Sequence, residues 1–340
     1  MTLAEHGRSR APGQRRPVGG DATVQEQRPD WQPLAAGAHT LLVTEVSEPP
    51  RPAVPTIDAA LVARLVADQF PAWAELPVTA VSPQGWDNRT FRIGDQLSAR
   101  LPSAAGYAPQ VLKEQRWLPH LAAHLPVLVP EPVALGRPAR GYPFAWSVSR
   151  WLEGDVLSRV QSLDEVTLAE DLGAFLVALR RVPAAGGPPA GPLTAYRGAP
   201  LDHYADQARR AFRLLDSQTS AGAGRVLDAA LATRWDHEPV WFHGDFAVDN
   251  LLVRDGRMHA VLDFGCAGVG DPACDLALAF IRLDRRSREV FRRAVDLDDD
   301  TWHRARGWSA WKAAITLADQ GAPPLRRQES ERALRAVLQD

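Results

Sequence analysis

The residues best suited to chemistry lie between Trp241 and Asp275. They read Trp241-Phe-His-Gly-Asp-Phe-Ala-Val-Asp-Asn-Leu-Leu-Val253, then Val261-Leu-Asp-Phe-Gly265, then Gly270-Asp-Pro-Ala-Cys-Asp275. An apolar strand delivers His243, Gly244 and Asp245 into a loop, and Asn250 follows five residues after Asp245. The chain then passes through Leu251 to Val253, turns at Asp255-Gly256, a pair that favours tight hairpin turns, and returns through Met258 to Leu262 before releasing Asp263. A hairpin joins its two ends, so Asn250 and Asp263 are expected side by side. They are two hard oxygen donors of the kind Mg²⁺ prefers, with phosphate oxygens and water to complete an octahedron. Phosphoryl transfer needs such a metal, and it needs a carboxylate to receive the proton of the attacking hydroxyl. Asp245 suits that second task. His243 is expected to position the loop by hydrogen bonds rather than to move a proton, and Asp249 stays open between a direct role and none.

A catalytic Asp, an Asn five residues later and then Asp-Phe-Gly is the order of parts in the kinase signature, and the joint match carries far more than any one element. The stretch resembles the aminoglycoside phosphotransferase family, small-molecule kinases of protein-kinase-like fold. Their loop reads like His-Gly-Asp-x-x-x-x-Asn, followed by Asp and by Gly-Asp-Pro-x-x-Asp-Leu-Ala. The matching residues are His243-Gly-Asp245, Asn250, Asp263 and Gly270-Asp-Pro-Ala-Cys-Asp-Leu-Ala277. The resemblance follows the order of parts over residues 56–320 and is specific in the core of the C-terminal half. It implies ATP and Mg²⁺ as cofactors, Asp245 as catalytic base, Asn250 and Asp263 as metal ligands, and Asp275 as a structural brace of the catalytic loop. Seven residues separate Asp263 from Asp271, and no Ala-Pro-Glu follows. That leaves no room for the long activation segment on which protein kinases lay a peptide, so a small hydroxyl compound is the expected acceptor.

The nucleotide side is thinner. A Gly-rich loop is represented by Gln84-Gly-Trp-Asp-Asn-Arg-Thr90, with one glycine, Gly85. Its backbone amides and Asn88 are the expected cover of the ATP phosphates. No lysine stands on the following strand; Arg100, in Leu97-Ser-Ala-Arg-Leu101, takes its place, with Glu114 on the next helix as ion-pair partner. Arginine grips phosphate in two-pronged fashion and stays charged, although its reach and hydration differ from those of lysine. Residues Ser147 to Trp151 are expected to form the hinge whose backbone meets adenine.

Around these residues the hydrophobic periodicity predicts two parts. Thr56 is the expected cap of a helix with apolar residues Leu61, Val62, Leu65, Val66 and Phe70 at helical spacing. Short strands follow at Val78–Val81, Arg89–Ile93, Leu97–Leu101 and Trp146–Leu152, with a helix over Lys113–His124 inserted among them. After Gly154 helices dominate. Ser162-Leu-Asp-Glu165 has the form of a capping box opening a helix to about Val182, a second helix is expected from Leu201 to Asp216, and further helices run from Leu276 to the end. The fold class is α+β, a bilobal protein-kinase-like fold with a small antiparallel-sheet N-lobe over 56–150 that binds nucleotide. A larger, mainly helical C-lobe over 151–330 carries the catalytic loop and acceptor site.

Residues 1–55 hold eight prolines, five glycines and six charges of each sign, a composition that favours a disordered tail. The only methionines are Met1 and Met258, so a start further in, at Val24 or Val43, would leave no trace. A formal charge of −2 gives no electrostatic reason for nucleic acid binding, and no apolar run is long enough for a membrane span. With no signal-peptide pattern the protein is expected in the cytoplasm, as a monomer or homodimer. Cys266 and Cys274 read as packed thiols.

The acceptor is the least specified partner. Residues 281–340 carry 13 Lys and Arg against 10 Asp and Glu, and 151–240 carry 9 against 12, so neither sign marks a polycation pocket. Asp298-Asp-Asp300 reads as a helix start with Asp300 at the cap, and Trp302, Trp308 and Trp311 as core. The leading reading is an ATP-dependent O-phosphotransferase acting on an antibiotic hydroxyl, of an aminoglycoside or of another sugar-bearing compound such as a nucleoside or macrolide. The alternatives are a housekeeping kinase for a sugar, choline or homoserine, and a nucleotide-binding regulator without turnover.

Overall fold

The structure is a computed structural model that describes residues 55–340. The tail expected over 1–55 lies, apart from Pro55, outside the described residues. Helix α1 (Ala59–Gln69) is capped by Asp58, whose Oδ1 accepts from Leu61 N at 2.7 Å, and not by Thr56. Asp58 is the residue whose short carboxylate reaches the free amide three positions on, while Thr56 lies two residues too early.

Leu61, Val62, Leu65 and Val66 of α1 are buried against a sheet that forms next. It comprises β1 (Val78–Ala80), β2 (Asn88–Ile93), β3 (Leu97–Pro102) and, after helix α2 (Ala108–Ala122), β4 (Pro132–Gly136) and β5 (Trp146–Arg150). The order is β1-β2-β3-β5-β4 and all pairings are antiparallel. Phe91, Ile93, Leu97, Ala99 and Leu101 alternate along β2 and β3 and are all buried, so the period-two pattern fixes which face meets α1. The register sets Arg100 opposite Thr90 on one side and Ser147 on the other. Strand β4 went unread in the sequence: it opens on Pro132, and Val133 and Leu135 point out to solvent, as befits an edge strand.

Helix α2 begins five residues before the expected Lys113 and keeps Pro119 inside. Its far end belongs to the other lobe, where Leu118 and Leu121 join the larger hydrophobic core, and that burial offsets the cost of an internal proline.

The second lobe is mainly helical. It contains β6 (Asp155–Val156), α3 (Glu165–Arg181), α4 (Asp202–Phe212), α5 (Ser217–Leu231), β7 (Val240–Phe242), β8 (Leu251–Arg254), β9 (Arg257–Val261), β10 (Gly268–Gly270), α6 (Leu278–Arg282), α7 (Arg285–Val295), α8 (Asp299–Ala318) and α9 (Pro324–Gln339). Three helix boundaries differ from expectation, and in each an aspartate whose carboxylate reaches a free first-turn amide sets the start. Asp164 caps α3 through Thr167 N at 2.6 Å, displacing the capping box at Ser162. Asp298 caps α8 through Thr301 N at 2.6 Å, which leaves Asp300 inside the first turn. Asp216 does not end a helix but starts α5, accepting from Gln218 N and Thr219 N at 3.1 and 3.0 Å. Trp302, Trp308 and Trp311 of α8 are buried in the core of this lobe.

Candidate active site

Strand β7 ends at Phe242, and the next three residues form the turn that holds the candidate base. His243 is fully buried; its Nδ1 accepts from Asp245 N at 3.2 Å and its Nε2 donates to Leu262 O at 2.9 Å. The imidazole therefore ties the turn to the end of β9. Gly244 has φ +83°, and a Cβ there would lie 2.4 Å from Cys266 O, so the turn admits no side chain. Asp275, buried and 31 to 32 residues further on, accepts from His243 N at 2.7 Å and Gly244 N at 2.8 Å. The loop is thus held from its own ring, from β9 and from the Gly270–Asp275 segment. Burial pushes the Asp275 carboxyl up, while His243 and the two amides oppose it.

Asn250 and Asp263 meet at the open end of the β8–β9 hairpin, where Leu262 N donates to Asn250 O at 2.7 Å. Asn250 Nδ2 donates to Asp245 O at 2.9 Å and to Asp245 Oδ2 at 3.1 Å. That use of its nitrogen leaves Oδ1 for another partner. Asp263 adopts left-handed backbone angles (φ 60°, ψ 72°), a conformation that costs a non-glycine residue about 1–3 kcal/mol, and its own Oδ1 holds it there by accepting from Gly265 N at 3.3 Å. The donor set fits Mg²⁺: an amide oxygen and a carboxylate, both hard, at one end of a hairpin. Among the described residues no group of three or more His, Cys, Asp or Glu side chains is arranged to hold an ion alone, so phosphate oxygens and water would complete its shell.

From the sheet lobe, Arg100 reaches the same place. Its Nη1 lies 3.1 Å from Glu114 Oε1 and its Nη2 lies 2.9 Å from Asp263 Oδ2. Burial disfavours the guanidinium charge, but the two carboxylates outweigh it and hold Arg100 protonated. The sequence pairs Arg100 with Glu114; its second partner, the candidate metal ligand Asp263, follows only from the fold. Lys113, next to Glu114, is also unforeseen. It is buried, and its Nζ donates to Leu193 O at 2.8 Å, Gly265 O at 2.6 Å and Ala267 O at 2.9 Å. One helix thereby fixes Arg100, the segment after Asp263 and the 191–198 loop together.

The phosphate-side loop is closed by Gln84, whose amide imitates a strand: Thr90 N donates to Gln84 Oε1 at 2.8 Å and Gln84 Nε2 donates to Thr90 O at 2.9 Å. Gly85 is exposed at its tip, whereas Asn88 is buried at the start of β2 opposite Pro102. Asn88 is therefore part of the sheet rather than of the free loop. The loop residue that enters the site is Asp87. Burial, reinforced by the nearby charges of Asp263 and Asp245, pushes its carboxyl up to about 7, with Gln110 and Arg100 opposing. The hinge expected over Ser147–Trp151 is displaced as well. Ser147 to Arg150 pair with β3 on one side, Ser147 to Ser149 pair with β4 on the other, and Trp151 N donates to Gln96 O, so backbone free of the sheet begins at Leu152.

On the opposite side of Asp245 stand side chains without any motif. Lys312 of α8 lies with Nζ 3.0 Å from Asp245 Oδ1. Desolvation in the cleft raises the Asp245 carboxyl, but the charges of Lys312 and Arg197, the Lys312 hydrogen bond and His243 outweigh it and hold the group well below the usual carboxylate range. Asp249 is ion-paired with Arg326 of α9. Cys266 is half-buried and its thiol is pushed up to about 12, first by burial and then by Asp245, as fits a packed thiol. The sequence held a signal for Lys312 only in being the one lysine of the helical lobe after residue 150.

A family model described as "Phosphotransferase enzyme family" matches residues 78–308. An aminoglycoside 3'-phosphotransferase from Escherichia coli is 38% identical over 58 residues, which is 17% of this chain and 21% of that relative. The chain therefore matches about a fifth of the length of that curated relative. Among solved structures, the GDP and kanamycin complex of APH(2")-IIia superposes with a TM-score of 0.63 at 19% identity, covering 82% of this chain and 96% of that one. A macrolide 2'-phosphotransferase type I superposes with a TM-score of 0.58 at 21% identity, covering 82% and 98%. At such identities the two structures speak for the fold, and the α+β bilobal kinase-like class holds. No helix among the described residues is long and apolar enough to cross a membrane.

Proposed function

The chain belongs to the phosphotransferase enzyme family, and on that premise we propose that it moves the γ-phosphoryl group of ATP onto a hydroxyl of a small molecule. The observation that carries this reading is the joint placement of Asp245, in the braced turn, with Asn250 and Asp263 at the open end of the β8–β9 hairpin. Asp245 receives the hydroxyl proton of the acceptor. Asn250 orients Asp245 through its amide nitrogen and, with Asp263, would hold Mg²⁺. Bound there, Mg²⁺ supplies neutralisation of the charge that develops on the transferring phosphate oxygens. Arg100, kept charged by Glu114 and Asp263, grips phosphate, and the loop amides near Gly85 cover it. The lobe over 56–150 is read as the nucleotide side and that over 151–330 as the acceptor side.

For the acceptor, the names of the similar proteins support an antibiotic hydroxyl, of an aminoglycoside or of a macrolide. The cations Lys312 and Arg197 beside Asp245 give a second claim to a metabolite of low or negative charge. The third reading, a regulator without turnover, leaves the braced base without a purpose. The test is consumption of ATP, and of GTP in parallel, with Mg²⁺ across aminoglycosides, macrolides, nucleoside antibiotics, sugars, choline and homoserine, with Asp245→Ala as control. Consumption with one acceptor that disappears in the control is the expected result. Nucleotide binding with no consumption for any acceptor would shift the reading to the regulator.

A further inference from the structure

Arg197 sits on a loop shaped for it. Ala195 and Tyr196 both have left-handed backbone angles, φ 49° and 54°, and Gly198 has φ 71°. These conformations are fastened from outside the loop and within it: Tyr204 Oη donates to Ala195 O at 2.6 Å, and the buried Thr194 donates through Oγ1 to Arg197 O at 2.9 Å. Gly198 packs on the strand that leads into the catalytic turn, where a Cβ would lie 2.0 Å from the Phe242 ring, and its carbonyl accepts from Asp271 N at 2.9 Å. The loop therefore sets Arg197 at a fixed place beside the candidate base.

The guanidinium placed there has no ionic partner among the described residues. It lies over the ring of Trp311 at 4.5 Å and near those of Tyr204 and Trp308 at 5.4 Å, and its Nη1 is buried without a hydrogen bond. A buried guanidinium nitrogen left unpaired is costly unless something else binds it. Nearby acids do not serve it. Asp249 is paired with Arg326, Asp271 with Arg304 at 2.7 Å, and Asp245 with Lys312 at 3.0 Å. Glu329, the other acid near Lys312, lies 3.6 Å from Arg326 and shares it with Asp249, so each of these acids already has a cation, while Lys312 and Arg197 beside Asp245 would repel an ammonium group.

We propose that Arg197 binds an anionic group of the acceptor, so that the substrates of this site are hydroxyl compounds carrying a carboxylate or phosphate, not polyamines. The proposal rests on the reading of this side of Asp245 as the acceptor side of a phosphotransferase. The rings of Trp311, Tyr204 and Trp308 pack on the guanidinium, and Lys312 lies 3.0 Å from Asp245 Oδ1 beside it.

The test uses one six-carbon skeleton in several charge states: gluconate, sorbitol 6-phosphate, sorbitol and glucamine. Each is titrated by ligand-observed NMR into the full-length protein loaded with ADP and Mg²⁺, which fills the nucleotide side. The expected order is an anion first, sorbitol next and glucamine last, with at least a tenfold gap between the better anion and glucamine. Which anion leads separates a carboxylate from a phosphate source. Arg197→Gln should bring the compounds to within about threefold of one another, and Arg197→Lys, which keeps the charge, should preserve the order. Glucamine binding as tightly as both anions, no binding of either anion, or an order unchanged in Arg197→Gln would each overturn the proposal. ADP affinity reports whether Arg197→Gln is folded; if it is not, the wild-type and Arg197→Lys orders decide. Failure to form ADP from ATP with any compound would count against the phosphotransfer reading alone, because the binding order is read without turnover.

Discussion

The candidate catalytic hairpin and the loop that faces it from the sheet lobe follow opposite rules. In the hairpin every feature is tied by side chains of fixed type: His243 to Leu262, Asp275 to two amides, Asn250 to Asp245. The facing loop is closed by the amide of Gln84 and by side chains that bond its backbone carbonyls, Ser103 to Trp86 O and Arg89 to Gly85 O, carries an exposed Trp86, and contributes backbone and one half-buried acid, Asp87. The difference follows from what each is proposed to do. A proton acceptor and a metal pair must sit at set distances, which needs particular side chains on a rigid support. A phosphate cover works through amides that any residue carries, so its sequence drifts without loss of the physics.

The comparison breaks most visibly in turnover. Asp245→Asn should lower kcat by about 10³- to 10⁴-fold, the range for loss of a positioned base together with its electrostatic role, checked by single-turnover kinetics. Next in size is the brace. Asp275→Ala leaves the His243 and Gly244 amides buried and unpaired, so a loss of about 2–5 kcal/mol is expected in denaturant unfolding. An equal loss on replacing an exposed loop residue such as Trp86 would erase the contrast between the two regions; Trp86→Ala should stay within about 0.5 kcal/mol.

Two pH effects are smaller. The Asp87 carboxyl has its folded value raised to about 7, so ionising it costs stability progressively as pH rises from its unfolded value near 4 to about 7. Asp87→Asn should therefore gain in Tm over the parent across that window and keep a constant advantage above it. Asp245 runs the other way. Lys312 and Arg197 depress it in the folded state, so its contribution is present at neutral pH and lost as pH falls through the folded value. Lys312→Met should move the acid limb of kcat/KM to higher pH while changing stability by less than about 1 kcal/mol, since both side chains are partly exposed to solvent.

The hairpin was legible because a turn pair, two apolar strands and their flanking acids specify one geometry within about two dozen residues. The sheet lobe was legible in its strands, through period-two alternation, but not in β4, whose outward residues are apolar. Helix starts were misread where two or three capping residues stand in a row, as at Ser162 and Asp164 or Asp298 to Asp300, because reach to the free amide is a property of the backbone path. Lys113, Lys312 and Arg197 stayed unread because their partners lie 67 to 154 residues away or, for Arg197, are aromatic faces. Asn88 reads as a loop residue because burial at a strand's first residue leaves no mark in the sequence.

The most direct test measures Mg²⁺-dependent ATP affinity beside turnover in Asp245→Asn and Asp263→Asn. The division of labour along the hairpin predicts that Asp245→Asn keeps its ATP affinity within about threefold and loses turnover, whereas Asp263→Asn loses both. Turnover near the parent rate in Asp245→Asn, or unaltered Mg²⁺-dependent affinity in Asp263→Asn, would contradict it.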